Sequence, residues 1–500
     1  SSAASDVYKR QKYGRATSVM ALAIRARMLL FAASPLVNGN DDPDYAAYTN
    51  NKGEAIFNST YDPKKWERAV NACKDLLTEA EGNGYALYKE YNGDGSIDPF
   101  MSYSNMCYKE FNQGNKEILF ARPDVSYDLY SQHSVPRGSR GQGGLGVTQE
   151  LVDAFFMSNG LPAITGYEPN GEPIINKASG YNESGFSTQP DVRKTKWIEG
   201  DKDAKESNTE NTIAPAGTFN MYVNREPRFY VSVLYNGAWY RQSSRYVDFY
   251  YEGEDGRPAS GSLWDAPQTG YLLRKRVHPE TNILNYSIPY RPGIICRLAE
   301  AYLNYAEAKA ELGTLTQDDL DISVNLLRDR AGMGDAHIDM DEANANPDPY
   351  LMADVTGYPN VTKSAMTGVI LEIRRERTVE LCLEGFRLFD MIRWKEGKQL
   401  TNEYHGVYFP GEGKYDLNGD GKMETAIYKD QAPSGLGLTK YKLGVDFFLT
   451  NDTEGYMWPH KDVKRTWNEE RDYLWPIPTD ERSLNHSLTQ NPGWEDGLSY

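Results

Sequence analysis

The most explicit chemical pattern in this 500-residue chain is Asp416-Leu417-Asn418-Gly419-Asp420-Gly421-Lys422. It fits D-x-N-x-D-G, the first half of an EF-type calcium loop. Asp416, Asn418 and Asp420 would offer oxygens at positions one, three and five, Gly421 supplies the turn at six, and Lys422 follows it. Position twelve is Ile427, where a bidentate Glu belongs; Glu424 substitutes only with altered geometry. A weaker echo runs Asn92-Gly93-Asp94-Gly95-Ser96-Ile97-Asp98. Metal-free Asp-Gly turns are the plainer alternative, and calcium is the one cofactor the sequence raises. Catalytic signatures are absent. The six histidines are scattered and none stands in an H-E-x-x-H frame, and there is no G-x-S-x-G elbow and no P-loop. A glycosidase needs two carboxylates, but nothing among the 71 acids places a pair.

Aromatic residues make a second pattern. Tyrosine is the outlying residue, with 36 copies against 16 Phe, and its flat apolar face with a polar tip suits wet binding surfaces. Tyr127, Tyr130, Gln132, Arg137 and Arg140 crowd one loop. Trp239, Tyr240, Tyr246, Tyr250, Tyr251 and Trp264 crowd another. Any one of them is as well explained by core packing. The set favours a binding surface, because loops so dense in aromatics otherwise expose a sticky patch. Trp264, Trp239 and Tyr250 are the leading candidates.

A third pattern is the charged run 367–394. Arg377/Glu380, Glu384/Arg387 and Asp390/Arg393 stand at i,i+3. Clusters of this kind arise more often from ion pairing than from catalysis. Where such a pair is half-buried, removing one partner destabilises the fold.

The elements that must hold these groups are mainly helices. Arg297–Leu312 is amphipathic, with Leu298, Ala301, Tyr302, Tyr305, Ala308 and Leu312 on one face and Glu300, Glu307, Lys309 and Glu311 largely on the other. Gly313 stands where a left-handed cap is cheapest. A second helix is predicted over Asp318–Arg330, with Ile322, Leu326 and Leu327 inward, and the pair spans about one 34-residue tetratricopeptide period. Thr17–Ala33 is predicted to bury Ile24, Met28 and Phe31. Lys64–Ala80 follows Asp62 as N-cap and Pro63 at the first helical position. Thr148 caps a short helix over Gln149–Met157, and Thr367–Trp394 reads as one long helix. Strands are expected at Glu117–Ala121, Pro227–Tyr235 and Tyr271–Val277, with a turn at Asn236-Gly237. Asn159–Asn220 and the chain beyond Trp394 read as mostly irregular.

The net charge of -17 excludes a nucleic-acid partner, since no basic face is left to neutralise phosphates. The four cysteines form no C-x-x-C pair, and Cys296 and Cys382 sit in apolar contexts that suit buried thiols. Val19–Val37 is apolar enough to suggest a membrane span, but Arg25 and Arg27 near its middle would cost about 2.5–3.5 kcal/mol each, so it reads as a buried helix. Residues 1–11, ending in Asp6-Val7-Tyr8-Lys9-Arg10-Gln11, are expected to be a non-native leader, with the natural chain continuing upstream.

The order of these pieces resembles the SusD/RagB family. Gly14-Arg15-Ala16-Thr17 with its helix, Val147–Pro162 (VTQELVDAFFMSNGLP), Arg225–Tyr240 (REPRFYVSVLYNGAWY, with Glu226 where Asp is usual), RLAEAYLNYAEAKAELG, Ile370–Trp394, YLWPIPTDE and LTQNPGW carry the resemblance. It covers almost everything after Gln11. The resemblance implies a mostly α fold, in which tetratricopeptide-like helical hairpins support a loop-rich face with a few short strands. It implies one domain over 12–500, with a helical part 12–146, a loop-rich part 147–290 and a RagB/SusD part 291–500.

It also implies a surface-exposed outer-membrane lipoprotein, anchored by a lipid on an N-terminal cysteine missing here, that works over a SusC-like TonB-dependent transporter in polysaccharide utilisation and nutrient uptake. The implied role is capture of an oligosaccharide without turnover. Trp or Tyr stacks on the apolar face of a sugar ring while polar groups bond its hydroxyls, which selects Trp264, Trp239, Tyr250, Tyr251, Tyr127, Tyr130 and Arg140. The alternatives are a peptide-binding relative and a glycoside hydrolase.

Overall fold

The computed structural model describes residues 14–46, 48–50, 52–198, 211–250, 253–256, 266–354, 357–403, 405–417, 420–446, 448–458, 461 and 463–495. Helix takes 33% and strand 14%. Among the described residues no sheet has more than three strands, so the helix-rich class holds, with short strand pairs and no barrel.

Three helices build one core. Ser18–Ala33 packs on Pro63–Gly82, which packs on Leu298–Glu311. Thr17 accepts from the Met20 amide and Asp62 from the Lys64 amide, satisfying donors that each first turn leaves open. Ala23, Ala26, Ala69, Cys73, Ala301 and Ala308 line the contact, and their small size lets the helices close while Leu30, Trp66, Leu76 and Tyr305 fill the gaps. This corrects the first helix's expected face. Ile24 is 44% and Met28 59% exposed, and the buried stripe is Val19, Ala23, Ala26, Leu30 and Ala33. The helix is apolar nearly all round, so periodicity alone does not choose a side; the alanines do. All four cysteines are buried free thiols.

The strand Ile118–Arg122 pairs antiparallel with Gly293–Arg297 and leads the chain straight into Leu298–Glu311. A second, larger core surrounds the segment expected to be a strand at Pro227–Tyr235. That segment is a helix, Pro227–Ser232, followed by the two-residue strand Val233–Leu234 paired with Leu272–Leu273, which is all of the strand expected over Tyr271–Val277. Pro227 at the first helical position presets φ. Phe229, Tyr230 and Val231 are all buried, so a helix sealed on every side was read as alternation. The Asn236-Gly237 turn forms, with Gly237 at φ 83, and Trp239–Tyr240 pairs with Arg245–Tyr246 beyond it.

Two predicted helices are broken. Asp318–Arg330 splits into Gln317–Asp321 and Val324–Arg330, and the shift turns Ile322 outward to 60% exposure. Thr367–Trp394 splits into Thr367–Glu380 and Arg387–Arg393, with Leu383 at φ 60 and Gly385 at φ 88 between them. The ion pairs differ accordingly. Only Asp390–Arg393 forms as read, at 2.9 Å. Arg377 reaches Asp390 instead, at 2.7 Å. Glu380 turns to Arg297 at 2.7 Å, Arg228 at 3.2 Å and Arg330. Glu384 sits in the break and takes Arg297 at 2.7 Å and Lys275 at 2.6 Å.

Glu117 bridges Arg297 at 2.8 Å and Arg330 at 2.7 Å, and Arg228 joins Glu226 at 2.6 Å and Glu376. Glu300, Glu307 and Glu311, expected on a polar face, are buried because Arg27, Arg393 and Arg374 meet them there.

Burial alone would raise the Glu384 and Glu307 carboxyls. Arg297 and Lys275 overcome that for Glu384, and Arg393 does for Glu307, so both are held down at about 2. A carboxyl lowered in the folded state stabilises it above the unfolded value near 4.5, and that contribution is lost as pH falls toward 2. Acid unfolding should therefore begin below about pH 4.5, and tryptophan fluorescence against pH checks it; a transition confined above pH 6 would contradict it. Glu380→Gln leaves three arginines short of a partner and should cost about 3–5 kcal/mol in urea unfolding. A loss under about 1 kcal/mol would mean the network is solvated.

Candidate ligand-binding site

Among the described residues, the sequence-selected aromatics have different surroundings. Trp239 is 1% exposed, edge-on to Tyr246 at 5.0 Å within the main core. It offers no face to a ligand, which corrects its selection as a stacking residue. Tyr127 is 7% exposed. The Arg291 guanidinium covers its ring at 3.7 Å, Arg276 donates to its hydroxyl at 2.7 Å, and that hydroxyl donates to the Pro292 carbonyl. Tyr130 donates to the Lys275 carbonyl at 2.6 Å. Both hydroxyls tie down their loop; Tyr127 is buried, which corrects its selection, while Tyr130 is half-buried. Arg140 is exposed at φ 68, and its backbone N–H donates to the Arg137 carbonyl at 2.7 Å. Tyr251 and Trp264 lie outside the described residues.

Tyr250 is half-buried, and its hydroxyl donates to the Leu417 carbonyl at 2.5 Å. That bond ties it to the Asp416 loop, where Asp416, Asp420 and Glu424 each bring one carboxylate oxygen within 4.8 Å of the others. Glu424 also accepts from the Leu417 amide at 3.1 Å, and the Lys422 ammonium lies 3.3 Å from Asp420. Ile427 is buried in the strand Thr425–Tyr428, and among the described residues Glu424 is the later acid in reach. Asn418 lies outside the described residues. Three carboxylates suit a hard cation, with carbonyls or water completing its usual six to eight oxygens.

Two roomy concavities lie elsewhere. One, of about 430 Å³, is walled by Trp458, His405, Tyr167, Asn170 and Asn402. Trp458 and His405 sit 5.9 Å apart at an interplanar angle of 35°. The imidazole packs over Gly171, at φ +85, where a Cβ would come within 2.2 Å of it. The second, of about 400 Å³, lies between the short helices Gln149–Ala154, Pro349–Met352 and Arg387–Arg393 and the outer face of Thr367–Glu380. Its wall is mainly apolar: Leu151, Ile164, Leu383, Phe386, Leu388 and Leu400.

Thr148 caps the Gln149–Ala154 helix and so fixes the partition between the two. Asp153 accepts from Gln149 and from the Tyr167 hydroxyl, each at 2.8 Å. Burial raises the Asp153 carboxyl, and Glu183 adds repulsion, to about 7. Glu150, half-buried, lines both spaces. No described residue gives it a hydrogen bond or ion pair; burial raises its carboxyl, and Arg387 and Arg465 act on it only from a distance. Sequence reasoning missed this site. The signals were the Tyr456-Met457-Trp458 run and the turn after Tyr167, both in stretches read as featureless.

A family model described as the SusD family matches residues 105–494. No curated protein matches. The solved structure named BT4246 is similar at a TM-score of 0.62 and 25% identity, over 96% of this chain and 72% of its own. A SusD-like protein from Bacteroides fragilis is similar at 0.54 and 23%, over 97% and 67%. A SusD-like carbohydrate binding protein from the same organism is similar at 0.55 and 18%, again over 97% and 67%. The last two show the fold alone.

Two tryptophans separate packing from binding. Trp239→Ala should cost about 3–5 kcal/mol in urea unfolding, whereas Trp458→Ala should cost less than half as much. Equal losses would contradict the two placements.

Proposed function

The chain belongs to the SusD family, whose model spans residues 105–494, and from that premise we propose that it captures an oligosaccharide at the cell surface without hydrolysing it. The observation that carries the reading is the space of about 430 Å³ beside Trp458. A half-exposed indole there faces a polar rim, with Asn170, Asn402, Thr401 and Glu403 around it. Pockets of about 300–1,000 Å³ hold small ligands, and an aromatic face with amide donors matches the two sides of a pyranose. Family membership supports the rest of the proposal: a lipoprotein of the outer membrane that delivers its catch to a SusC-like TonB-dependent transporter. No helix among the described residues is long and apolar enough to cross a membrane. The hairpins 18–82 and 298–330 serve in this reading as tetratricopeptide-like supports.

The Asp416, Asp420 and Glu424 carboxylates belong to the same proposal as a calcium site that stiffens the loop under Tyr250. Calcium should raise the melting temperature of wild-type protein and not of Asp416→Asn; no shift in wild type removes the ion from the proposal.

Affinity electrophoresis on a panel of neutral and acidic polysaccharides tests the function. At least one should retard the protein, and Trp458→Ala should weaken retardation about tenfold, or ~1.4 kcal/mol. Retardation by none sinks the glycan reading and turns attention to peptides, while reducing sugar released from a retained glycan would show a hydrolase.

A further inference from the structure

The two spaces that meet at Glu150 differ in chemistry, and the difference describes a ligand. Well-packed interiors hold few voids larger than a water, yet the apolar space measures about 400 Å³. An apolar cavity of about 150 Å³ already takes a benzene ring. Its neighbour is polar and aromatic, and consecutive residues alternate between them. Gln149 faces the polar side and Leu151 the apolar side; Leu400 faces the apolar side and Thr401 and Asn402 the polar. A molecule lying across the partition therefore meets amides and an indole at one end and a mainly apolar wall, with Arg375, Arg377 and Asp390 also lining it, at the other.

Glu150 marks the crossing. Interior carboxylates such as Glu117, Glu376, Glu380 and Glu384 hold arginines at contact distance. Glu150 holds none. Arg387 spends its contacts on the Tyr358 and Thr378 hydroxyls at 2.9 and 3.1 Å, and Arg465 reaches the Leu400 and Asn402 carbonyls. Glu150 is half-buried and its oxygens are not among the fully buried, unpartnered atoms, so water reaches them and a ligand's hydroxyls can take the water's place. Two guanidiniums near one carboxylate disfavour a cationic ligand. Neutral hydroxyls, which give O–H donors without charge, match the site.

Resting on the glycan reading above, we propose that the ligand is a saccharide bearing an apolar substituent, an aryl or acyl ester. Its sugar lies beside Trp458, its hydroxyls donate to Glu150, and its substituent fills the space walled by Leu151, Phe386 and Leu388.

Isothermal titration with methyl cinnamate, a neutral aryl ester, probes the apolar space by itself. Wild type should bind it. Ala154→Trp, which fills the space, should weaken binding at least tenfold, and Leu388→Trp, at a position 40% exposed, repeats the test where folding is least at risk. Both variants should melt with wild type. No binding by wild type, or equal binding by wild type and a folded variant, overturns the proposal, even if polysaccharides still retard the protein and the glycan reading stands. Cinnamate binding with no polysaccharide retained sinks the saccharide half and the glycan reading together. With both satisfied, saponifying an esterified polysaccharide should reduce its retardation of wild type and leave that of Ala154→Trp unchanged.

Discussion

One carboxylate sets the terms for the rest of the molecule. Glu380 is fully buried and accepts from Arg228, Arg297 and Arg330. Those arginines come from a short helix, the end of a strand and the end of a second helix, and Glu117 binds two of them from a fourth element. Taking so many charges out of water is expensive, and well-packed apolar side chains of the same volume often serve stability as well. An ion network accepts far fewer geometries than an apolar cluster does, because each lost partner leaves a bare charge. The cost of a mismatch here falls on segments more than 200 residues apart, since Glu117 and Arg330 are 213 positions apart. The network thus fixes which pieces of the chain meet.

The same constraint shapes the helix that carries it. Thr367–Glu380 turns Glu376 and Glu380 toward the network, and Arg375, Arg377 and Thr378 toward the apolar space. Continuing that helix would carry Glu384 away from Arg297 and Lys275. The backbone instead breaks through left-handed residues at Leu383 and Gly385, where glycine at least carries no steric penalty. That break also places Leu383 and Phe386 in the cavity wall. Stability and the shape of the candidate site are consequences of one local decision in the chain.

How much of this could be read in advance depended on how local the cause was. Helix caps at Asp62 and Thr148 act within three residues and were legible, as was the strand beside Glu117, whereas Thr17, expected inside its helix, is its N-cap. The ion pairs were legible as a class, but of the partners only Asp390–Arg393 was. Charges at i,i+3 suggest a solvated stripe, whereas most partners observed come from other elements and bury most of the helix. Burial on both faces also misled the reading of Pro227–Tyr235, because a run sealed all round has no period to detect. The aromatic loops failed for a related reason. Tyr127 and Trp239 are rich in contacts that only the fold supplies, Arg291 over one ring and Tyr246 against the other. Trp458 keeps a half-exposed ring beside His405, and the Glu150 carboxyl has no hydrogen bond or ion pair among the described residues; sequence spacing carries no trace of either.

That asymmetry is itself an argument about function. Charge and aromatic surface are used in two ways in this chain. Where they are saturated, as at Glu380, Glu307 and Tyr127, they hold the fold, and there is nothing left for a ligand to gain. Where they are left open, as at half-buried Glu150 and Trp458, a second molecule can take the place of water. Asp153, with its carboxyl near 7, is the group a catalytic reading would choose. Both its oxygens are taken by Gln149 and Tyr167, so it serves the partition between the two spaces rather than any substrate. The groups that hold the fold and the groups that line the cavities are thus distinct, Glu380 and Tyr127 on one side and Glu150 and Trp458 on the other.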